Sequence, residues 1–394
     1  MNMSNVDKLS SDELARYSRH ILLPKVGVEG QQKLKSSKVL IIGMGGLGSP
    51  VALYLTAAGF GTIGLADFDK VEKHNLQRQI IHTTEKEGTP KIDSAIERMN
   101  ALNPHCSIKT HKEGITVDNA IEIFEQYDLI VDGSDNFPTR YLVNDAAFFA
   151  KKPLVYGSIF QFEGQVSFFN PHDDGPCYRC LFPVPPAPGT VPNCSEAGVF
   201  GALCGTIGSL QSMEALKYVL GIGDLLKGKL LVIDSLDMAF RKLNLKKDSS
   251  CPLCGDNPEI TEIRAETYAF SCQIEPESKA PESVAEGECP IEISILETNE
   301  LLNTDESVYL LDVREPFEVD ICKIDKSINI PMNTIPERLD ALPKDRQILV
   351  YCHHGMRSMN VVNFLRSKGI ENTTNIQGGI NLWAETIDSA MERY

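Results

Sequence analysis

Short apolar runs alternate with longer amphipathic stretches along the first two thirds of the chain. The apolar runs have the length of buried strands, and the stretches between them place apolar residues at helical spacing. The predicted strands are residues 38–42, 62–66, 129–132 and 154–156. Strands that alternate with helices favour an open, mostly parallel, doubly wound sheet with helices on both faces. This region is therefore predicted to be an α/β domain.

A second, smaller region near the C-terminal end repeats the alternation. The predicted elements are strands at residues 308–312 and 347–351 and helices near residues 335–342 and 358–367. The stretch between the two regions is acidic and rich in Pro, Ser and Glu, which is typical of a linker. The predicted parts are a larger α/β domain over residues 1–256, an acidic linker over residues 257–289 and a smaller α/β domain over residues 290–394.

Composition agrees with two domains and excludes some functions. A chain of 394 residues is long for one hydrophobic core. The net charge of -16 argues against nucleic acid as the main partner. The N-terminal stretch lacks the apolar segment of a signal peptide, and polar residues interrupt every long apolar run. We therefore expect a cytoplasmic protein with no membrane partner, in which the eleven cysteines are thiols, zinc ligands or catalysts.

A glycine-rich turn follows the first predicted strand and points to a bound nucleotide. Gly43, Gly45 and Gly46 lie in this turn, and Asp67 ends the next predicted strand. Glycines let the backbone approach phosphate at a helix N-terminus, and an acid at this spacing reaches a ribose hydroxyl. The pattern, which is Rossmann-like, does not choose between NAD, FAD and ATP, and glycines can also serve only a tight turn.

Polar residues further along could meet the charge of that nucleotide. Asn75, Arg78 and Lys91 follow closely, although exposed cations are often merely solvated. The sequence contains no Walker-type phosphate loop, so ATP would depend on such cations. Asp135 and Asn136 follow the strand at residues 129–132, at the edge where such sheets bind ligands. Asp135 is a candidate magnesium ligand, with helix capping as the alternative.

Two C-x-x-C pairs, about seventy residues apart, predict a metal site. The four residues are Cys177, Cys180, Cys251 and Cys254. Four thiolates make a closed tetrahedral site, which suits structural zinc and leaves no position open for catalysis. A redox-active C-x-x-C is the alternative, but two matching pairs favour one shared zinc ion.

One loop in the smaller region carries the pattern of a reactive thiol. Cys352 and Arg357 lie between the strand at residues 347–351 and the helix at residues 358–367. Inward-pointing amides, a helix N-terminus and a guanidinium together favour a nucleophilic thiolate and hold an anion. Four residues separate the two side chains, one fewer than in cysteine phosphatases, so the loop suits a sulfur atom better than a phosphate. The alternative is a helix start that contains Cys and Arg by chance.

Several further patterns occur in a fixed order along the larger region. They are Arg16-Tyr17-Ser18-Arg19, Gly43 to Gly48, Asp67-Phe68-Asp69, Asn75-Leu76-Gln77-Arg78-Gln79, Pro90-Lys91 and Ser134-Asp135-Asn136. Together they resemble the ubiquitin-activating-like adenylyltransferases of the molybdopterin-synthase and thiamine sulfur-carrier type. The resemblance covers about the first 255 residues.

The resemblance assigns roles that the residues alone do not. It implies that ATP is bound by Gly46, Asp67, Asn75, Arg78 and Lys91. It also implies that Asp135 holds magnesium and that Arg19 reaches the nucleotide of the other subunit in a homodimer. Relatives carry a cysteine in the crossover loop where Cys194 lies, which takes the acyl group as a thioester or forms a disulfide with the partner. A dispensable thiol remains the alternative for Cys194.

The smaller region resembles a single rhodanese domain from about Ile291 to Tyr394. The loop at Cys352 corresponds to the rhodanese active site, which carries a cysteine persulfide. Asp312 and Arg314 are expected to brace this loop rather than to react. The Gly-His-Ile turn that is usual in the family is replaced by residues 321–324, which weakens the match at a supporting segment.

These resemblances predict an adenylyltransferase fused to a sulfurtransferase. ATP would adenylylate the C-terminal Gly-Gly of a small ubiquitin-like sulfur carrier, and the Cys352 persulfide would convert it to a thiocarboxylate. Arg19, Arg78 and Arg357 would stabilise the anions of these steps. The sulfur would come from a cysteine desulfurase or thiosulfate. The thiocarboxylate is expected to serve molybdopterin cofactor biosynthesis, with thiamine synthesis or tRNA thiolation as the alternatives. An NAD- or FAD-dependent oxidoreductase and a non-enzymatic carrier scaffold are the rival functions.

Overall fold

The computed structural model describes residues 8–186, 198–268, 289–305 and 307–393. These residues divide into two compact units, one up to Tyr268 and the other from Cys289 onward. Cys194 and most of the predicted linker lie outside the described residues. Within the described ranges, no helix is long and apolar enough to cross a bilayer.

The first unit is built on one sheet of eight strands. They are β1 (Lys38–Ile42), β2 (Thr62–Ala66), β3 (Ser107–His111), β4 (Leu129–Asp132), β5 (Leu154–Phe160), β6 (Glu163–Phe169), β7 (Lys229–Asp234) and β8 (Ala239–Asn244). Their order across the sheet is β3-β2-β1-β4-β5-β6-β7-β8. The first five in that order are parallel, which confirms the predicted doubly wound core. An antiparallel extension of β6, β7 and β8 was not predicted.

Helices cover both faces of this sheet. The helices are α1 (Ser11–Arg16), α2 (Ser18–Ile21), α3 (Gly27–Ser36), α4 (Gly48–Ala58), α5 (Lys91–Leu102), α6 (Ala120–Glu125), α7 (Phe137–Phe149), α8 (Tyr178–Leu181), α9 (Gly201–Leu220) and α10 (Ala265–Tyr268). Val39 and Ile41 pack into a core with α4, α5 and α9. Leu40 and Ile42 pack into a second core with α6 and α7. Alternate residues of a strand face opposite sides, so β1 is apolar at the four positions after Lys38 because both of its faces are buried there.

Residues 257–268 fall within the predicted linker but pack on the first unit. The side chains of Ile263 and Tyr268 contact the core under α6 and α7. The Tyr268 hydroxyl donates a hydrogen bond of 2.9 Å to the buried carboxylate of Asp145 on α7. These contacts extend the first unit at least to Tyr268. The sequence did not reveal them because the residues that follow are acidic and rich in Pro and Ser.

The second unit is a five-stranded parallel sheet with flanking helices. Its strands are β9 (Glu292–Ile293), β10 (Tyr309–Asp312), β11 (Ile328–Asn329), β12 (Ile348–Tyr351) and β13 (Thr373–Ile376), in the order β11-β10-β12-β13-β9. Its helices are α11 (Ile295–Thr304), α12 (Pro316–Val319), α13 (Met356–Ser367) and α14 (Gly379–Thr386). The predicted α-helix at residues 335–342 is wrong, because two short 3₁₀ segments, Met332–Glu337 and Leu339–Ala341, lie there instead. Pro336 lies inside the first segment and lacks the amide proton that a continuous α-helix needs there.

Candidate active sites

A cleft at the carboxyl edge of the first sheet brings most of the predicted nucleotide residues together. The glycine turn follows β1, Asp67 follows β2, and Asp135 follows β4, and these three strands are neighbours in the sheet. The predicted residues that line the cleft are Gly43, Gly45, Gly46, Asp67, Arg78, Lys91, Asp135 and Asn136. This is the edge where open α/β sheets bind ligands.

The glycines of the turn are required by close backbone approaches. Gly43 has a φ of +83°, and a Cβ there would lie 2.9 Å from the carbonyl oxygen of Gly133. A Cβ on Gly48 would lie 1.8 Å from the carbonyl oxygen of Gly43. Helix α4 begins at Gly48, so the positive end of its dipole lies at the turn. The turn therefore presents backbone donors to the cleft, as phosphate binding requires.

Asp67 is held in the cleft by two backbone amides. Its Oδ2 accepts a hydrogen bond of 2.6 Å from the amide of Met44, and its Oδ1 accepts one of 2.8 Å from the amide of Asp69. Burial raises the pKa of this carboxyl, while the nearby Lys91 and the two amides act in the opposite direction. A carboxylate accepts about four hydrogen bonds, so lone pairs remain for a ribose hydroxyl.

The two predicted cations are engaged with other groups in the ligand-free cleft. Lys91 Nζ lies 2.7 Å from Asp69 Oδ2, and the lysine side chain is buried. Arg78 donates to the carbonyl oxygen of His74 at 3.1 Å and to Asn75 Oδ1 at 3.2 Å. Asn75 therefore orients Arg78, and within the described residues it is not part of the cleft lining. Asp69 was not singled out from the sequence, although it lies in the same motif as Asp67.

The structure separates the roles of Asp135 and Asn136. Asn136 is the N-cap of α7, because its side chain accepts a hydrogen bond of 2.9 Å from the amide of Thr139. Asp135 is exposed and lines the cleft. The capping role that was an alternative for Asp135 thus belongs to its neighbour. An exposed carboxylate facing the phosphate-binding turn is a suitable magnesium ligand.

His82 clamps the glycine turn to helix α5, although no sequence motif points to this residue. Its Nε2 lies 3.0 Å from the carbonyl oxygen of Met44, and its Nδ1 lies 2.9 Å from the hydroxyl of Ser94. A carbonyl oxygen only accepts, so Nε2 carries the proton and Nδ1 accepts from Ser94. Burial lowers the pKa of His82, which keeps the ring neutral. Asp67 therefore holds the N–H of Met44, and His82 holds its carbonyl oxygen.

Arg19 and Cys194 were predicted to act beyond the cleft of a single chain. Arg19 lies exposed on α2 and is absent from the lining of its own cleft as the described residues define it. Its role at the nucleotide of a second subunit stays a prediction. Cys194 lies outside the described residues, so its role also stays a prediction.

The four predicted zinc ligands converge at one point. Their Sγ atoms all lie within 4.8 Å of one another, and the pairs involving Cys177 are separated by 3.4 to 3.9 Å. A Zn–S distance of about 2.3 Å in a tetrahedron places sulfur atoms about 3.8 Å apart. The donor set and its spacing therefore fit zinc. A shared site of four thiols is also what distinguishes this arrangement from two separate redox pairs.

A buried ion pair ties the zinc knuckles to helix α7. Arg179 lies between the first two cysteines and donates to both oxygens of Asp145 at 2.7 to 3.1 Å. Tyr268, which follows the second pair of cysteines, donates to the same carboxylate. Because Asp145 is fully buried, these charge-assisted bonds offset its desolvation. The metal site thereby supports the helix that begins beside Asp135.

In the second unit, Cys352 lies at the end of β12 inside a tight loop. Its Sγ accepts a hydrogen bond of 3.1 Å from the amide of Gly355 and lies 3.4 Å from the hydroxyl of Ser358. Gly355 has a φ of +95°, which turns the chain into α13. The thiol is almost completely buried. The amide and the hydroxyl form a cradle that can stabilise a negatively charged sulfur.

Arg357 is oriented by a carboxylate that the sequence did not reveal. Its two terminal nitrogens lie 2.7 Å from the two oxygens of Glu318 on α12. Asp312 and Arg314 form a second bidentate pair that is fully buried, and Arg314 also donates to the carbonyl oxygen of Cys322. The segment that replaces the Gly-His-Ile turn is therefore tied to Arg314.

Comparisons with known proteins assign each of the two units to a family. The sequence matches the ThiF family over residues 17–253 and the rhodanese-like domain over residues 294–386. It is 44% identical over 391 residues to the probable adenylyltransferase/sulfurtransferase MoeZ of Mycobacterium tuberculosis, covering 98% of this chain and 96% of that protein. It is 40% identical over 404 residues to the adenylyltransferase and sulfurtransferase MOCS3 of Culex quinquefasciatus, covering 99% of this chain and 91% of that protein.

Solved structures share the fold of the first unit. The crystal structure of PaaA has a TM-score of 0.54 and 24% identity, and the alignment covers 63% of this chain and 78% of PaaA. The crystal structure of E. coli MccB with ATP has a TM-score of 0.52 and 23% identity, covering 61% of this chain and 74% of MccB. At these identities the likeness establishes the fold alone.

Replacing one zinc ligand should release the metal and destabilise the first unit. We expect Cys251→Ser to lower bound zinc from about one ion per chain to almost none. The free energy of unfolding should fall by about 4 kcal/mol, because the two cysteine pairs lose the metal that joins them and leave buried thiols. Metal analysis and chemical denaturation measure the two effects. Cys289→Ser, outside the cluster, should change neither, and a full zinc content in Cys251→Ser would contradict the assignment.

Removing the His82 clamp should weaken nucleotide binding. His82→Phe fills the space but leaves the Met44 carbonyl and the Ser94 hydroxyl without partners, each at about 1 to 3 kcal/mol. Since the turn is held less firmly, we expect the Kd for ATP to rise about tenfold or more. Isothermal titration calorimetry measures it. His82→Gln, which retains a donor at the end of the side chain, should restore most of the affinity; equal Kd values for wild type and His82→Phe would refute the clamp.

Proposed function

The chain belongs to the ThiF family and carries a rhodanese-like domain, and from this premise we propose that its substrate is a small ubiquitin-like sulfur carrier protein. It is an adenylyltransferase joined to a sulfurtransferase, as its relatives are. The observation that carries the proposal is that one chain contains both a phosphate-binding cleft with Arg78, Lys91 and Asp135 and a cradled thiol at Cys352. The first site activates a carboxylate, and the second supplies sulfur to it.

In the first reaction, the C-terminal glycine carboxylate of the carrier attacks the α-phosphorus of ATP. The P–O bond to the β-phosphate breaks, and pyrophosphate leaves. Arg78 and Lys91 stabilise the phosphate charge, with Arg19 of a second subunit as a further cation in a homodimer. Asp67 binds the ribose, and the backbone of the turn at Gly43, Gly45 and Gly46 holds the phosphates. Asp135 would hold a magnesium ion, which screens the phosphate charge when it is bound.

In the second reaction, the terminal sulfur of a Cys352 persulfide attacks the activated carbonyl carbon. AMP leaves, and the carrier is joined to Cys352 through an acyl disulfide. A thiol then attacks Cys352 Sγ, the S–S bond breaks, and the carrier departs as a thiocarboxylate. The new disulfide is returned to thiols by an external thiol reductant. Cys194 is a candidate for the attacking thiol.

An apolar surface beside the cleft suits the carrier. Phe160 and Phe162, at the turn between β5 and β6, are exposed, and Ile159 next to them lines the cleft. Ser235 donates two hydrogen bonds to the Phe162 carbonyl, which brings the turn between β7 and β8 alongside, with Leu236, Met238 and Phe240 exposed there. A contiguous exposed apolar patch marks a protein-binding surface. Its continuity with the cleft lets a bound carrier extend its C-terminal tail to ATP.

We propose that the sulfur is used in molybdopterin cofactor biosynthesis. The chemistry at both sites is the same for thiamine synthesis and tRNA thiolation, since each uses a thiocarboxylate made from a carrier. The donor that loads Cys352 is a cysteine desulfurase or a small sulfur compound.

The two reactions should be separable by mutation. Carrier-dependent exchange of labelled pyrophosphate into ATP should be lost in Asp135→Ala, because the phosphates lose their magnesium site. Cys352→Ala should retain the exchange, yet mass spectrometry should show no carrier in which sulfur replaces a terminal oxygen. The wild type should do both with ATP, magnesium and a sulfur donor. If no folded carrier supports exchange, the proposed function is wrong.

The apolar patch should govern affinity for the carrier and not for ATP. Phe162→Asp places a charge in the contact, so the KM for the carrier should rise about tenfold or more. The Kd for ATP should stay within about twofold of the wild-type value, since Phe162 is not among the residues that line the cleft. Leu296→Asp, at an exposed apolar site on α11, is the matched control and should leave both constants unchanged. An unchanged KM in Phe162→Asp would show that the carrier does not bind at this surface.

A further inference from the structure

Glu318 neutralises the guanidinium of the sulfur-carrying loop. The pair is bidentate, with both N–O distances at 2.7 Å, and it is largely shielded, because Glu318 is 7% and Arg357 18% exposed. An arginine in a loop around a reactive thiol is ordinarily a receptor for an anion. Here a carboxylate of the same chain already occupies both of its terminal nitrogens.

The position of Glu318 is fixed by its own helix. It is the third residue of α12, and its side chain accepts a hydrogen bond of 2.9 Å from the amide of Glu315 at the start of that helix. Its backbone carbonyl lies 3.4 Å from Arg314, which is itself held by Asp312. Glu318 is therefore held in the site by contacts with its own helix and with Arg314.

The loop as a whole has little net positive charge. Arg357 is matched by Glu318, and Arg314 is matched by Asp312. Burial lowers the pKa of His353 to about 4, with a smaller contribution from His354, so this ring is neutral near pH 7. The charges of Glu318, Arg357 and Arg314 all act on His353, which places these groups around the loop.

Sulfur donors differ in the charge that they bring to such a loop. Thiosulfate is a dianion; the thiolate of Cys352 attacks its outer sulfur, the S–S bond breaks, and sulfite leaves with two negative charges. A persulfide donor, R–S–SH, brings at most one charge. Cys352 takes its terminal sulfur and the donor leaves as the thiol R–SH. Only the first reaction needs an uncompensated cation beside the sulfur.

We propose that Glu318 is a specificity-determining residue that makes the Cys352 loop select a persulfide donor over thiosulfate. The inference rests on the proposed function, because it concerns the step that loads Cys352. Glu318 pairs with Arg357 and repels a second anion, so a dianionic donor meets no net attraction at the loop. A persulfide still finds the cradle formed by Gly355 and Ser358.

The test compares loading of Cys352 by two defined probes, thiosulfate and cysteine persulfide, at equal ionic strength. The persulfide formed on the full-length protein is measured by mass spectrometry and by cyanide-releasable sulfur. Glu318→Gln is nearly isosteric and retains the acceptor for the Glu315 amide. We expect the loading rate from thiosulfate to rise about tenfold, and the rate from cysteine persulfide to stay within about twofold. Glu337→Gln removes one exposed charge from the same unit and should change neither rate.

The wild type gives a second readout that does not depend on a folded variant. Thiosulfate at the same concentration should not slow loading by cysteine persulfide, since it does not occupy the loop. The role of Glu318 would be overturned if the ratio of the two loading rates were the same in the wild type and in Glu318→Gln. Strong competition by thiosulfate in the wild type would overturn it too, and either result would leave the proposed function standing. Loading of the wild type by neither probe would overturn the sulfurtransferase half of the proposed function together with it.

Discussion

The pairing of four shielded cations, each with one carboxylate, is the constraint on which both sites depend. Taking a guanidinium or ammonium out of water costs several kcal/mol unless an anion accompanies it. Lys91 is held by Asp69, Arg179 by Asp145, Arg314 by Asp312 and Arg357 by Glu318. In a chain with a net charge of -16 carboxylates are abundant. The pairs therefore fix the loops as well as the charges.

The same pairs connect parts of the first unit that are distant in sequence. Asp145 receives Arg179 from between the first two zinc cysteines and Tyr268 from beyond the second two. It lies on α7, the helix capped by Asn136 next to Asp135. A displacement of the zinc knuckles would therefore pull on the helix that begins at the nucleotide cleft. The four-cysteine cluster and the cleft are linked through one buried carboxylate.

The sequence revealed those features whose physical cause is local. Strand β1 is apolar at four consecutive positions because both of its faces are buried, and Gly43 is needed because no Cβ fits beside Gly133. The spacing of the two cysteine pairs likewise predicted that the four thiols converge at one point. These features were predicted at the positions where they are observed.

What the sequence did not reveal depends on contacts between distant residues. His82 and Glu318 are ordinary residues by composition and acquire their roles only because the fold brings Met44 and Arg357 to them. The antiparallel pairs β5–β6 and β7–β8 are each joined without a helix, so the βα pattern that identified the parallel strands could not find β6 to β8. Ile263 and Tyr268 attach an acidic segment to the core through two side chains, which is too few to change its composition.

The two sites differ in what happens when an anionic ligand takes the cation from its partner. Asp69 is 50% exposed, so water can solvate it again when Lys91 turns to a phosphate. Because the carboxylate half of this pair is solvated, the contact opens at a smaller cost than a fully buried pair would. Glu318 is only 7% exposed, and removing Arg357 from it would leave a buried charge without a partner. Such a loss costs about 3 to 5 kcal/mol. In the cleft, Lys91 can therefore exchange Asp69 for an anionic ligand. In the Cys352 loop, Arg357 keeps its pairing with Glu318.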